Sequence, residues 1–276
     1  MKRLEFKKSI KLRWKIISSC TMFGFKESMA YSLNNWGNLL SMIVYMITYL
    51  IFLDVLFGRV KMIAGYGYTE MLFFTLIVQI NYYLLFIITQ VNTERLDTSI
   101  NTGELDLWLV KPVPALWFVS FRKINLGELL FGAFPATIPL LVILSGKWSV
   151  LNMSFGGVMA GIIFIILGQI IIHCFVFMIA MTAFFTGEGK HARNVGVELS
   201  IFGDSIPLEG YPKFLKYIGL TIVPFLVHTA LAVSFFLGKN TNYYYLVYVF
   251  GLAVFFLWLK TVAWKFSLKH YSSASS

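Results

Sequence analysis

Five stretches of this chain, over 37–57, 70–91, 124–145, 155–185 and 243–259, are almost wholly apolar. A helix that is apolar all round has no stripe to turn toward water. A stretch of about 20 such residues matches the hydrocarbon thickness of a bilayer. Composition agrees: of 276 residues 58% are hydrophobic and 13% charged, with a mean hydropathy of +0.75. Soluble domains carry about 25% charged residues. A water-soluble fold is therefore excluded, and the chain reads as an all-α polytopic membrane protein. It is too short to hold such a bundle and a nucleotide-hydrolysing domain as well.

A sixth crossing lies in 194–239, where two readings stay open. Residues 218–237 are apolar enough to span, but Pro224 and His228 interrupt them. Alternatively 194–208 is a short span carrying Glu198 and Asp204, and 209–238 dips into the outer leaflet and returns. Interrupted backbone at membrane depth must be buried in protein. Both readings predict six spans. In the second, the segments 1–36, 92–123, 186–193 and 260–276 hold 17 of the Lys and Arg residues and the opposite side holds 6. Positive residues stay inside, so both termini are predicted to be cytoplasmic.

The net charge of +10 fits this orientation and an attraction to anionic lipids. No basic run is interleaved with aromatics, so a nucleic-acid partner is not expected. Residues 1–36 read as an interfacial helix. Phe6, Ile10, Trp14 and Ile17 share one face, and Lys8, Lys11 and Lys15 share the opposite one.

Little points to chemistry within the chain. The nearest approach to a phosphate-binding loop, Gly187-Glu188-Gly189-Lys190-His191, has Phe184 in place of its first glycine and His191 in place of its hydroxyl. The four histidines are scattered, and Cys20 and Cys174 form no metal spacing, so neither a metal site nor a catalytic residue is predicted. Gln169 and His173 can hydrogen-bond each other across one helical turn. They read either as polar contacts between helices or as the lining of a polar path. A proton-coupled carrier needs ionisable groups near mid-membrane. Asp54 and Glu128 stand near span ends instead. Gln79, Asn81, Tyr82 and Tyr83 of the second span are candidates for a substrate path, the tyrosines otherwise being packing aromatics.

The most informative polar segment is 92–123. Residues 101–112 hold a short helix, with Asn101 as its cap, Glu104 as capping partner and Pro112 and Pro114 ending it. Leu105, Trp108 and Leu109 share one face. The segment is either a solvated turn or a rigid knob that docks in a partner.

Two stretches resemble a bacterial ABC-2 exporter subfamily. Gly103-Glu104-Leu105-Asp106, Leu109 and Lys111-Pro112 are similar to its G-E-L-D-x-x-L-x-R/K-P motif. Pro207, Tyr211-Pro212, Leu215, Ile218 and Pro224-Phe225 are similar to its proline-rich segment, and the tail from Tyr271 to its usual ending. His228-Thr229 departs from a Tyr-Pro pair often found there. The resemblance implies one transmembrane domain over 1–276, with an elbow helix at 1–36, a coupling helix within 92–123 and a re-entrant hairpin over 209–238. It implies a permease subunit that forms half of the translocation pathway of an ATP-driven exporter in the bacterial inner membrane. It implies a dimer, identical or with a sibling permease, on cytoplasmic ABC ATPase subunits that hold the ATP and Mg. No cofactor is then bound by this chain. Glu104, Leu105, Asp106, Trp108, Leu109 and Pro112 are the implied ATPase-coupling residues. A proton-coupled secondary transporter and a non-transporting membrane anchor are the competing functions.

Overall fold

A computed structural model describes residues 2–30 and 32–271, without the side chains of 2–9, 32 and 34. The side chains of Phe6 and Lys8 of the expected stripe, and the tail beyond Tyr271, lie outside what is described. The described residues are mostly helical and form no strand, with one isolated bridge between Ile63 and Tyr66. Among the described residues five helices are long and apolar enough to cross a membrane.

In chain order, α1 is Lys2–Ala30 and α2 is Ser32–Phe57. A continuous α3, Tyr68–Thr102, contains a π-helical turn at Leu85–Gln90. Two short helices follow, α4 at Glu104–Leu109 and α5 at Ala115–Phe121. Then come α6 (126–145) and α7, Phe155–Thr186. Beyond them lie α8, Lys190–Ile201, α9, Lys213–Thr221, α10, Val227–Phe236, and α11, Tyr244–Lys269.

Helices outrun the apolar runs that announce them. The second span was expected to end near residue 91, yet α3 continues to Thr102. Its polar extension is a sound helix because Thr93, Thr98 and Thr102 donate back to carbonyls one turn earlier, while Leu96 and Ile100 pack inward. Likewise α11 continues to Lys269, so Lys260 is not part of a basic tail but lies inside a helix, 4% exposed. Hydropathy marks where lipid stops, not where a helix stops.

The middle of the bundle is α7. Its glycines at 157, 161 and 168 form a flat face on which α10 lies. A Cβ at Gly168 would stand 2.5 Å from Cβ of His228, and one at Gly161 would stand 2.5 Å from the Phe236 ring. Small residues at such spacing let helices approach closely where no water drives them together.

The chain between α7 and α11 follows a folded path. α8 runs back along α7, with Gly196 against Ile179. Gly210 then reaches Ala64 in the loop between α2 and α3. α9 turns back into the bundle, where the Tyr248 hydroxyl donates to the Leu220 carbonyl at 3.0 Å. α10 leads out again, and Lys239 meets Glu70 at 2.8 Å and the Gly65 carbonyl at 3.1 Å. Residues 209–238 thus begin and end at the same end of the bundle. Nearby, burial together with Glu209 and Glu70 pushes the Tyr66 hydroxyl well up from its ordinary range.

Candidate functional site

Two places bring the sequence-derived candidates together. The first is the knob at the end of α3. Gly103 adopts φ +73°, a left-handed conformation that glycine takes without strain, and this ends α3 and starts α4. Asn101 is not the cap. It belongs to α3, and Gly103 holds the cap position, so Glu104 opens α4 rather than closing a capping box.

The apolar face of α4 is spent inside the protein. Leu105 is 0% exposed and Trp108 3%. Around them are Leu96 and Ile100 of α3, Phe118 of α5, Phe177 and Phe184 of α7 and Trp264 of α11. Trp108 meets the Phe118 ring edge-on at 5.7 Å and the Arg122 guanidinium at 3.8 Å. Asp106 engages the Tyr271 hydroxyl, which burial and this carboxylate push up from its ordinary value. Leu105 and Trp108 are therefore anchors of the knob and not its outward surface; Leu109 is half-buried. The outward surface carries Leu107, 65% exposed, and Val110, 81% exposed, with Lys111 and Pro112 beside them.

Two polar clasps fix the knob to the bundle. Asn92 of α3 donates to the Lys123 carbonyl at 2.9 Å and accepts from the Lys123 amide at 3.2 Å. Lys260 of α11 donates to Ser120 Oγ at 2.8 Å and to His173 Nε2 at 3.0 Å, with the Phe177 ring 4.0 Å away. A lysine ammonium only donates, so Nε2 accepts and Nδ1 of the neutral ring carries the proton toward Thr89 Oγ1, at 3.0 Å. In the sequence Lys260 stands with the tail charges, and only the fold brings it to Ser120 and His173.

The second place is a cavity of about 360 Å³ between α2, α3 and the end of α8. Gln79 and Tyr82 line it, with Tyr45, Ile201, Asp204 and Ser205 among the other walls. Asn81 and Tyr83 point elsewhere. Asn81 donates to the His228 carbonyl at 2.8 Å and to Thr229 Oγ1 at 3.1 Å. It accepts from Gln169 Nε2 at 3.0 Å. Tyr83 turns its hydroxyl to the Met42 sulfur at 2.9 Å. Gln169 and His173 thus bond to other helices and not to each other, because the turn of α7 between them faces two different neighbours.

Beside the cavity, Asp204 and His228 are both buried, with Nε2 3.7 Å from the nearer carboxylate oxygen. Neither carboxylate oxygen has a hydrogen-bond donor within bonding distance. This buried ionisable pair had no signature in the sequence, since the turn after α8 and the start of α10 meet only in the fold. Among the described residues no group of His, Cys, Asp and Glu is placed to hold a metal.

A helical bundle with a knob projecting from one end narrows the comparison with known families. The family model described as ABC-2 family transporter protein matches residues 43–275. The chain belongs to the ABC-2 transporter family. It is thus a membrane permease of that family, whose members normally work with a separate ABC ATPase. Neither the curated proteins nor the solved structures contain a match to the chain. The matched region takes in α3, the knob, the cavity and α11, so both candidate places lie within the part that defines the permease.

Proposed function

We propose that this permease is the membrane half of an ATP-driven exporter and that the knob, α4 and α5, couples it to a cytoplasmic ATPase. The observation that carries this reading is the two-sided knob. Its inner face is locked to α3, α7 and α11, while Leu107, Val110 and Pro112 are exposed and Lys111, also exposed, reaches over the Phe118 ring. A push on such a body is passed to three long helices rather than absorbed by a loop. Rigid-body movement of packed helices is a recognised way to relay a distant event. Glu104 and Asp106 hold the knob in shape from within its rim.

In this reading α8 with residues 202–208 is the fifth of six crossings, and 209–238 is a re-entrant hairpin on the outer side. Both termini face the cytoplasm of a bacterial cell, and α1 is the interfacial elbow. Two copies, or this chain and a sibling, complete the path, with ATP and Mg on the ATPases. The cavity beside Gln79 and Tyr82 is the entry to the substrate path, and Asn81 and Tyr83 brace its wall.

The test is co-purification in mild detergent from the native membrane, followed by mass spectrometry. An ATPase is expected with the unaltered chain. Leu107→Glu and Val110→Glu are expected to reduce its recovery about tenfold, each adding a charge to an exposed apolar contact. The melting temperature of the permease should stay unchanged, since exposed substitutions cost within about 0.5 kcal/mol. A chain recovered alone across several detergents would sink the reading.

The buried Asp204–His228 pair favours one second reading, a proton-coupled carrier. Transport driven by a pH gradient without any ATPase, and abolished by Asp204→Asn, is its expected signature.

A further inference from the structure

A pocket of about 300 Å³ lies where α1 crosses the end of α3 and the knob. Phe23, Glu27, Arg95, Glu104, Arg122 and Lys123 are among its walls. Arg122 is only 9% exposed. Its guanidinium stacks on Trp108 at 3.8 Å, yet its N–H groups have no hydrogen-bond acceptor, and no carboxylate comes within 4 Å among the described residues. Arg95 and Lys123 likewise have no ion pair there. Lys123 is pressed across Gly24, where a Cβ would overlap its Cε. The two acids leave a net positive charge of one on the lining. Buried charges are normally paired, and a guanidinium carries five donors in a fork that matches phosphate oxygens.

We propose that this pocket binds a phosphate ester, and specifically the phosphodiester headgroup of a membrane phospholipid. The lipid source is argued from α1. Its surface exposes Trp14 at 69%, Met22 at 50% and Phe23 at 71%, and exposed aromatics of this kind concentrate at the headgroup level. Phe23 also walls the pocket, so one residue borders both the acyl region and the charged interior. Glu27 and Glu104 are placed to accept from hydroxyl groups on the same headgroup. Occupancy would close α1 onto the knob, because Arg122 and Glu104 belong to the knob side and Glu27 to α1.

The experiment is native mass spectrometry of the full chain in dodecyl maltoside with three probes: dioleoyl-phosphatidylglycerol, dioleoylglycerol, which has the same tails without phosphate, and inorganic phosphate. Retention of one phosphatidylglycerol in clear preference to dioleoylglycerol is expected. The double variant Arg95→Gln/Lys123→Gln should lower that retention about thirtyfold, each basic residue near an anionic headgroup contributing about fivefold. Lys147→Gln, in the loop between α6 and α7, should leave it unchanged. Arg122→Gln should show a similar loss, but it also removes the Trp108 stack, so the double variant decides. Equal retention of the two lipids, or no change in the double variant, overturns the proposal. Inorganic phosphate retained in place of phosphatidylglycerol would keep the phosphate chemistry and overturn the lipid source. A double variant that keeps its lipid but loses a co-purifying ATPase would overturn it in favour of an acidic protein partner.

Discussion

Helices α2 and α3 have nearly the same mean hydropathy and opposite fates. Of the most apolar stretch of α2, 11% is buried within the protein, against 67% for α3. Ile47, Ile51, Phe52 and Val55 of α2 face outward, whereas Leu72, Phe73, Phe74 and Leu76 of α3 lie in the core. The difference teaches that in a membrane chain apolar character does not report packing. Lipid tails are as apolar as leucine, so an apolar helix need not be covered by its own chain. What separates the two helices is where their polar side chains face: Thr75, Gln79, Asn81 and Thr89 of α3 are buried, whereas Ser41, Thr48 and Asp54 of α2 are exposed.

The largest test of that contrast is a matched pair. Phe74→Ala opens a hole in the core and is expected to cost about 3–5 kcal/mol, read as a loss of melting temperature or of detergent resistance. Phe52→Ala, at a position 56% exposed, should cost less than about 1 kcal/mol. Equal losses would mean that a second protein surface, and not lipid, covers α2. That result would break the contrast and point to the dimer partner.

Asn81→Leu should come next, at about 1–3 kcal/mol, because it removes the donor to the His228 carbonyl and Thr229 in a dry interior and leaves the Gln169 amide only the backbone carbonyl of residue 81. Gln169→Leu in the same background should add less than it does alone, as expected for groups in one network. Full additivity in a double-mutant cycle would show that the two amides do not act together.

The smallest expected effect concerns the other polar clasp. Lys260→Met keeps the length and the apolar stem while removing the donor to Ser120 and His173, and should cost about 1 kcal/mol. A gain in stability would mean that burying the ammonium costs more than its bonds return. The clasp would then be retained for coupling the knob to α11 and not for folding.

Part of this was legible beforehand. The apolar runs marked α2 and α7 closely and the start of α3 but not its end, and Pro112 and Pro114 marked the break between α4 and α5. The special character of 101–112 was legible too, from an apolar face with a tryptophan between prolines and glycine. The direction of that face was not. A docking surface and a buried anchor need the same residues, and only Leu96, Phe177 and Trp264, far apart in sequence, decide which it is. The candidates Gln79 and Tyr82 share a cavity, yet Asn81 and Tyr83, adjacent to them, do not, because a helix turns successive side chains toward different neighbours.

The sequence alone determined that the chain is helical, lies in a membrane and carries a charged polar segment after its second long apolar run. These follow from composition and run length, which act locally. Only the tertiary structure decided which faces are dry, that Lys260 is clasped inside, and that Asp204 meets His228 beside a cavity. The reason is that a helix apolar all round has no stripe to record its rotation. Its partners are chosen by glycine contacts and by a few polar side chains that find each other across long separations.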